Sequence, residues 1–167
     1  MANSISVVSF IYNEAPNIDA WLSTLKNYVK EIIIFDLEST DDTYYLCKKY
    51  TDKVLRRPIL LCGDSYRPEL QYLSQSEWLL WLYPDERLPE TTLKVLDKLT
   101  TQDRWNAYAF MRHEYLDSVR VQINQDSKII PFGCPDNPNY QNRLHRNDGR
   151  IFYTELVHFE LEGSFKV

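Results

Sequence analysis

The apolar positions of the chain follow two rhythms. Ser6 to Ile11 (SVVSFI) and Glu31 to Phe35 (EIIIF) are short, nearly unbroken apolar runs, the pattern of strands covered on both faces. Between them, Ile18, Trp21, Leu22, Leu25, Tyr28 and Val29 recur at helical spacing and form one stripe. That helix follows a loop, Tyr12-Asn13-Glu14, and carries Pro16, a residue suited to a first helical turn. The second apolar run ends at Asp36. Ser39-Thr40-Asp41-Asp42-Thr43 then predicts a helix start, with hydroxyls and carboxylates satisfying the helix's own free backbone N–H groups, and a helix to about Tyr50. Further expected elements are a strand over Lys53 to Arg57, a short helix over Pro68 to Ser74 and a strand over Trp78 to Leu82. An amphipathic helix over Glu90 to Leu99, with Leu93, Leu96 and Leu99 on one side, completes this stretch.

Residues 1–100 thus alternate strand and helix, which implies a mostly parallel sheet flanked by helices. Beyond them the texture changes. Ala107 to Met111, Val119 to Asn124, Lys128 to Pro131, Gln141 to Leu144 and Leu156 to Leu161 read as short strands between turn residues, with a loop over Gly133 to Asn139. No repeat, low-complexity tract or linker interrupts the chain. The expectation is one continuous α/β domain over residues 1–167, of a length that supports a single core, with a short-strand-rich C-terminal portion.

Composition narrows the function classes. The chain is 44% hydrophobic and 26% charged, as in a soluble globular protein. Its net charge of −5 comes without any basic run, which excludes a nucleic-acid surface; the pairs Lys48-Lys49 and Arg56-Arg57 read as solvated faces. Three cysteines, Cys47, Cys62 and Cys134, are widely spaced and form no CxxC, pointing to structural thiols in a reducing compartment. MANSISVVSF lacks a basic region followed by a long apolar one, and no apolar run reaches the length of a membrane span. A cytoplasmic protein is expected, with a peripheral membrane contact left open. Twelve tyrosines exceed what a core of this size needs, so some are candidates for a polar cleft.

In an open parallel sheet, ligands bind beyond the carboxyl ends of the strands. Three polar clusters stand at three such ends here: Tyr12-Asn13-Glu14, Asp36, and Asp85-Glu86. A lone acid at a strand end is ordinarily a turn or capping residue. Acids from separate strands converging on one cleft instead suit a hard divalent cation and its phosphate ligand. His113 and His145 read as surface or packed residues, and His158 alternates with Val157 and Phe159 in a strand pattern.

The ordered set SVVSFIYNEAPNIDAWLSTL, EIIIFDLESTDDT and EWLLWLYPDERL resembles the family 2 glycosyltransferases of GT-A fold, over about residues 5–100. YQNRLHR and ELVHFE are weakly similar to segments of a lipopolysaccharide-type subgroup. The resemblance implies a Rossmann-like GT-A domain with a nucleotide-sugar-binding half (1–100) and an acceptor-side half (101–167). It implies transfer of a sugar from a nucleotide diphosphate sugar to the hydroxyl of a glycan or lipid-linked acceptor, with inversion. It assigns Tyr12 to stack near the base, Asn13 and Glu14 to the same loop, and Asp36 to the base or ribose. Asp85 matches the last acid of the family's Asp-x-Asp motif, which holds Mg²⁺ or Mn²⁺, and His158 stands where some members place a further metal ligand. The sequence departs from the pattern at Tyr83, which replaces the motif's first acid, and at Pro84. Arg67 remains of an Arg-Asn-bearing segment before the fourth strand, now CGDSYRPEL. No motif for a catalytic base is evident; Glu114 and Asp117, early in the second half, are the candidates. The competing expectation is a GT-A-like domain that binds a nucleotide or a partner and catalyses nothing. A nucleotidyltransferase is set aside because FIYNEAP offers neither glycine nor lysine for a phosphate loop.

Overall fold

The first strand, β1 (Ile5–Ile11), is buried along almost its whole length and lies inside the sheet, paired on both edges. The structure, a computed structural model, describes residues 4–60, 62–102, 104–111, 115–116, 119–120, 129–131, 140–153 and 161–163, with side chains up to residue 111 and again over 141–152. After β1 come α1 (Ala15–Leu25), β2 (Glu31–Asp36), α2 (Thr43–Lys48), β3 (Val54–Arg56), a 3-10 turn (Gly63–Tyr66), α3 (Arg67–Leu73), β4 (Trp78–Trp81) and α4 (Glu90–Thr101). The second half supplies β5 (Ala107–Met111), β6 (Tyr115–Leu116), β7 (Val119–Arg120), β8 (Ile129–Pro131), β9 (Tyr140–Arg146), β10 (Ile151–Tyr153) and β11 (Leu161–Gly163).

The main sheet runs β3-β2-β1-β4-β9-β5-β8. Its first four strands are parallel, and β9, β5 and β8 extend it in antiparallel fashion from β4. Two short antiparallel pairs, β10-β11 and β6-β7, stand apart. The fold class is therefore the expected one: an α/β sheet flanked by helices, followed by a strand-rich second half.

Residues alternate between two cores, as the pleat requires. On one face, Val7 and Ile11 of β1 and Ile32 and Ile34 of β2 meet Ile18, Trp21, Leu22 and Leu25 of α1 and Leu93 and Leu96 of α4. On the other, Val8, Ile33, Phe35, Leu79 and Trp81 meet Tyr66 and Leu70. Trp21, Trp78 and Trp81 are fully buried, and truncating such a side chain to alanine costs about 3–5 kcal/mol.

Several local expectations change. The helix from Thr43 ends at Lys48 rather than near Tyr50, whose N–H closes a turn onto the Cys47 carbonyl. The 3-10 turn before α3 was not expected. Its first residue, Gly63, packs on the Phe10 ring: a Cβ there would come within 2.5 Å of the ring carbons. Arg56 and Arg57 are not simple solvated charges. Arg57 pairs with Glu69 at 2.6 Å and lies over the Phe35 ring, and Arg56 covers the Tyr44 ring. β9 is longer than the expected Gln141 to Leu144 strand; of the expected Val119 to Asn124 strand, Val119 and Arg120 form β7 and the rest lies outside the described residues. Gly133 to Asn139 and most of Leu156 to Leu161 lie outside the described residues.

Candidate functional site

Beyond the carboxyl end of β1 the chain turns sharply at Asn13, whose φ of 53° is left-handed. Asparagine tolerates that conformation better than most residues because its short amide can bond locally. Here the amide Oδ1 accepts the Thr40 N–H at 2.8 Å. The return bonds are equally specific. Asn13 N–H donates to Ser39 Oγ (2.9 Å), Glu14 N–H to Thr43 Oγ1 (2.7 Å) and Ala15 N–H to Asp41 Oδ2 (3.2 Å). The hydroxyls and carboxylate expected to start α2 therefore mainly satisfy the free N–H groups at the start of α1, although Asp41 Oδ1 also accepts the Thr43 N–H at 3.0 Å. Burial pushes the Asp41 carboxyl up, but bonds from Thr43 and Ala15 outweigh it and hold the group below the usual range. The loops after β1 and β2 are thus laced into one unit. Tyr12, 45% exposed, projects from it into a cleft.

At the end of β2, Asp36 is fully buried, and among the described residues neither carboxylate oxygen has a hydrogen-bond partner. Arg56 Nε stands 3.7 Å from it as a counter-charge. A buried carboxylate without a hydrogen bond is costly.

The loop after β4 is built around Tyr83. The ring meets Phe10 edge-on at 5.4 Å, and its hydroxyl accepts from Arg67 Nη2 at 2.7 Å. Arg67 is fixed in turn by Asp64 (2.6 Å) and lies 4.6 Å over the Trp81 ring. Burial raises the Tyr83 phenol, with Arg67 and Arg143 pulling the other way, so it stays a neutral phenol at neutral pH. Glu86 folds back: one oxygen accepts the Tyr83 N–H at 3.0 Å and the other pairs with Arg143 of β9. The Arg143 guanidinium lies 5.3 Å from the Tyr83 ring centroid. Arg87 reaches the Asn17 carbonyl at 3.2 Å and so ties this loop to α1. Asp85 is exposed and has no hydrogen bond or ion pair among the described residues.

Beneath the site, Trp81 Nε1 donates to His145 Nε2 at 3.2 Å, and His145 Nδ1 lies 2.8 Å from the Arg146 carbonyl. These partners assign the proton to Nδ1. Burial pushes His145 down to about 4, so it is a neutral packed residue that fixes the end of β4.

These loops enclose a cleft of about 540 Å³. Of the residues singled out in the sequence, the structure brings Tyr12, Glu14, Tyr83 and Asp85 to its walls. Asn13 is turned toward Thr40, Arg67 stands behind the Tyr83 hydroxyl, and Asp36 lies below the edge. Glu114, Asp117 and His158 lie outside the described residues. Among the described residues, no group of three or more histidines, cysteines and acids is placed to hold a metal ion. Arg143, which the sequence reading missed, joins the cleft wall with the exposed apolar pair Ile59 and Leu60. Only the run of arginines in NRLHR could have signalled Arg143; its neighbour across the sheet is not written locally.

No protein-family model matches the chain. It is 32% identical over 108 residues to an uncharacterized glycosyltransferase of Rickettsia felis (strain ATCC VR-1525 / URRWXCal2), covering 62% of this chain and 38% of that protein. It is 31% identical over 108 residues to an uncharacterized glycosyltransferase of Rickettsia prowazekii (strain Madrid E), covering 62% and 36%. The chain thus spans less than two fifths of the length of these curated relatives. Among solved structures it resembles S. aureus TarS 1-349, with a TM-score of 0.62 at 18% identity over 92% of this chain and 50% of that one. It also resembles glucosyl-3-phosphoglycerate synthase from Mycobacterium tuberculosis in complex with Mg²⁺ and UDP, with a TM-score of 0.52 at 19% identity over 63% and 42%. The fold is that of the GT-A glycosyltransferases. No helix among the described residues is long and apolar enough to cross a membrane.

Proposed function

We propose that this chain holds a nucleotide diphosphate sugar in the cleft beyond β1, β2 and β4 and transfers the sugar, with inversion, to the hydroxyl of a glycan or lipid-linked acceptor. The observation that carries this reading is a pair of acids at the ends of β2 and β4, the two strands that flank β1. Among the described residues Asp36 is buried without a hydrogen bond, and Asp85 is exposed at the cleft without a hydrogen bond or ion pair. The first suits an N–H or hydroxyl of the nucleoside. The second suits a cation that arrives with the diphosphate. The likeness in fold to a synthase solved with Mg²⁺ and UDP supports the same reading.

Each neighbouring residue has a role in this scheme. Tyr12 stacks on the base, Asn13 and Glu14 hold that loop, and Arg67 keeps the Tyr83 phenol fixed at the cleft wall. A divalent cation fits Asp85 in one particular way. Mg²⁺ characteristically takes one or two protein carboxylates and completes its shell with substrate phosphates and water. Asp85, which makes no hydrogen bond or ion pair among the described residues, can give one such ligand; His158 is the proposed second. When bound, the cation offsets the negative charge growing on the leaving diphosphate. The chain's own tasks are to align donor and acceptor and to accept the acceptor's proton. Glu114 or Asp117 is the proposed base: the acceptor oxygen bonds to the sugar carbon as the bond to the diphosphate breaks.

A thermal-shift panel of UDP, GDP, ADP, CDP and dTDP, with and without Mn²⁺, tests the reading. A ligand at a hundred times its Kd adds about 2.7 kcal/mol, roughly 5–10 °C for a domain of this size. The expected result is a shift for one nucleotide that needs Mn²⁺ and is lost in Asp85→Asn. Binding without turnover of any sugar nucleotide would leave the non-catalytic binder as the better description. No shift with any of the five sinks the nucleotide reading.

A further inference from the structure

Arg143 lines the same cleft as Asp85 yet uses little of its hydrogen-bonding capacity. A guanidinium presents five N–H donors in a planar fork suited to two-point recognition of oxyanions. Arg143 meets one oxygen of Glu86 through Nη2, because the other Glu86 oxygen is taken by the Tyr83 N–H. Its side chain is only 11% exposed and its guanidinium lies 5.3 Å from the Tyr83 ring centroid. Among the described residues Glu86 is the one carboxylate ion-paired with it.

We propose that Arg143 recognises the donor's diphosphate, and that Glu86 holds its guanidinium in reserve until the diphosphate takes the carboxylate's place. This rests on the nucleotide diphosphate reading above. A diphosphate carries more charge and more acceptor oxygens than the single Glu86 oxygen now available, so it satisfies the fork more completely. Glu86 is not orphaned by the exchange, because it keeps the Tyr83 N–H. No bond is made or broken; the guanidinium changes partner.

The test uses the nucleoside diphosphate selected by the panel above and its monophosphate, titrated by calorimetry in EDTA and again in Mn²⁺. The proteins are wild type, Arg143→Gln, Glu86→Gln and the double variant, each checked for an unchanged unfolding profile. Arg143→Gln is expected to weaken the diphosphate about ten- to a hundred-fold, the range of a charge-assisted hydrogen bond, and the monophosphate far less. Glu86→Gln is expected to tighten the diphosphate, since the competing carboxylate is gone. The double variant decides between contact and simple charge balance. If Arg143 only neutralises Glu86, removing both restores wild-type affinity and the inference falls. If Arg143 touches the diphosphate, the double variant stays weak. Diphosphate binding indifferent to Arg143 overturns this inference alone, whereas a wild type that binds no diphosphate overturns the nucleotide reading with it.

Discussion

Asn13 offers a test of how the cleft's first loop is held. Its φ of 53° is a conformation that alanine resists and glycine accepts freely. Its side chain also accepts from the Thr40 N–H at 2.8 Å and from the Thr40 hydroxyl at 3.3 Å. Asn13→Ala loses the hydrogen bonds, about 1 kcal/mol where water can partly replace them. It also places an alanine in the left-handed region, about 1–2 kcal/mol. Asn13→Gly loses the same bonds but relieves the strain, offset by roughly 0.4–1 kcal/mol of extra freedom in the unfolded chain. The expected order is therefore wild type, then glycine, then alanine, with alanine the less stable of the two variants by up to about 1.5 kcal/mol. That reverses the ordinary preference for alanine over glycine in regular structure. Urea unfolding of the three proteins, followed by tryptophan fluorescence, resolves such a difference; in Tm it is roughly 2–4 °C per kcal/mol for a chain of this size. A glycine variant less stable than the alanine variant refutes the strain argument. Two variants as stable as wild type refute a stabilising role for the Asn13 amide's bonds to Thr40.

Gly63→Ala would drive a methyl group to within 2.5 Å of the Phe10 ring; the expected cost is about 1–3 kcal/mol, read from the urea midpoint, while Gly149→Ala, with open space around it, should show only the penalty of its φ of 81°. His145 should make stability depend on pH. Its folded value is pushed down to about 4 from an ordinary 6.5, so the unfolded chain binds the proton more readily. The contribution of the neutral ring is full above pH 6.5 and is lost as pH falls from 6.5 toward 4, a loss on the order of 3 kcal/mol. His145→Gln keeps an acceptor for the Trp81 N–H and cannot titrate; unfolding curves from pH 7 to pH 4 should fall less steeply for it than for wild type, and parallel curves would contradict the assignment.

Much of the sheet was legible because its signal is local. EIIIFD is apolar on both faces, and the Ile18-Trp21-Leu22-Leu25 stripe has one period and one consequence. The strand-end acids were legible for the same reason, since a rule about sheets converts their positions into a common edge. The rest depended on pairings across the chain. Ser39 to Thr43 looked like the cap of the helix that follows them, and Asp41 does accept the Thr43 N–H, yet their side chains also take the N–H groups of Asn13, Glu14 and Ala15 where an earlier helix begins. Glu86 looked like half of a metal motif, but Arg143, 57 residues away, takes one of its oxygens. Tyr83 is likewise held by residues far from it in sequence: its ring meets Phe10 edge-on and the Arg143 guanidinium, and its hydroxyl accepts from Arg67. The places of Glu114, Asp117 and His158 fall outside the described residues.

The position of β9 beside β4 sets a timetable for the nascent chain. Trp78, Leu79 and Leu80 pair with Arg146, His145 and Leu144, so one edge of the parallel sheet waits for a strand that begins roughly sixty residues later. At 5–20 residues per second, a ribosome leaves that edge bare for roughly 3–12 s. The edge is β-prone and flanked by buried tryptophans, the kind of surface that pairs with the wrong neighbour. A fragment ending after α4 would keep the edge bare permanently. Anyone who cuts this protein after α4 should therefore expect the first piece to aggregate unless β9 is supplied in trans.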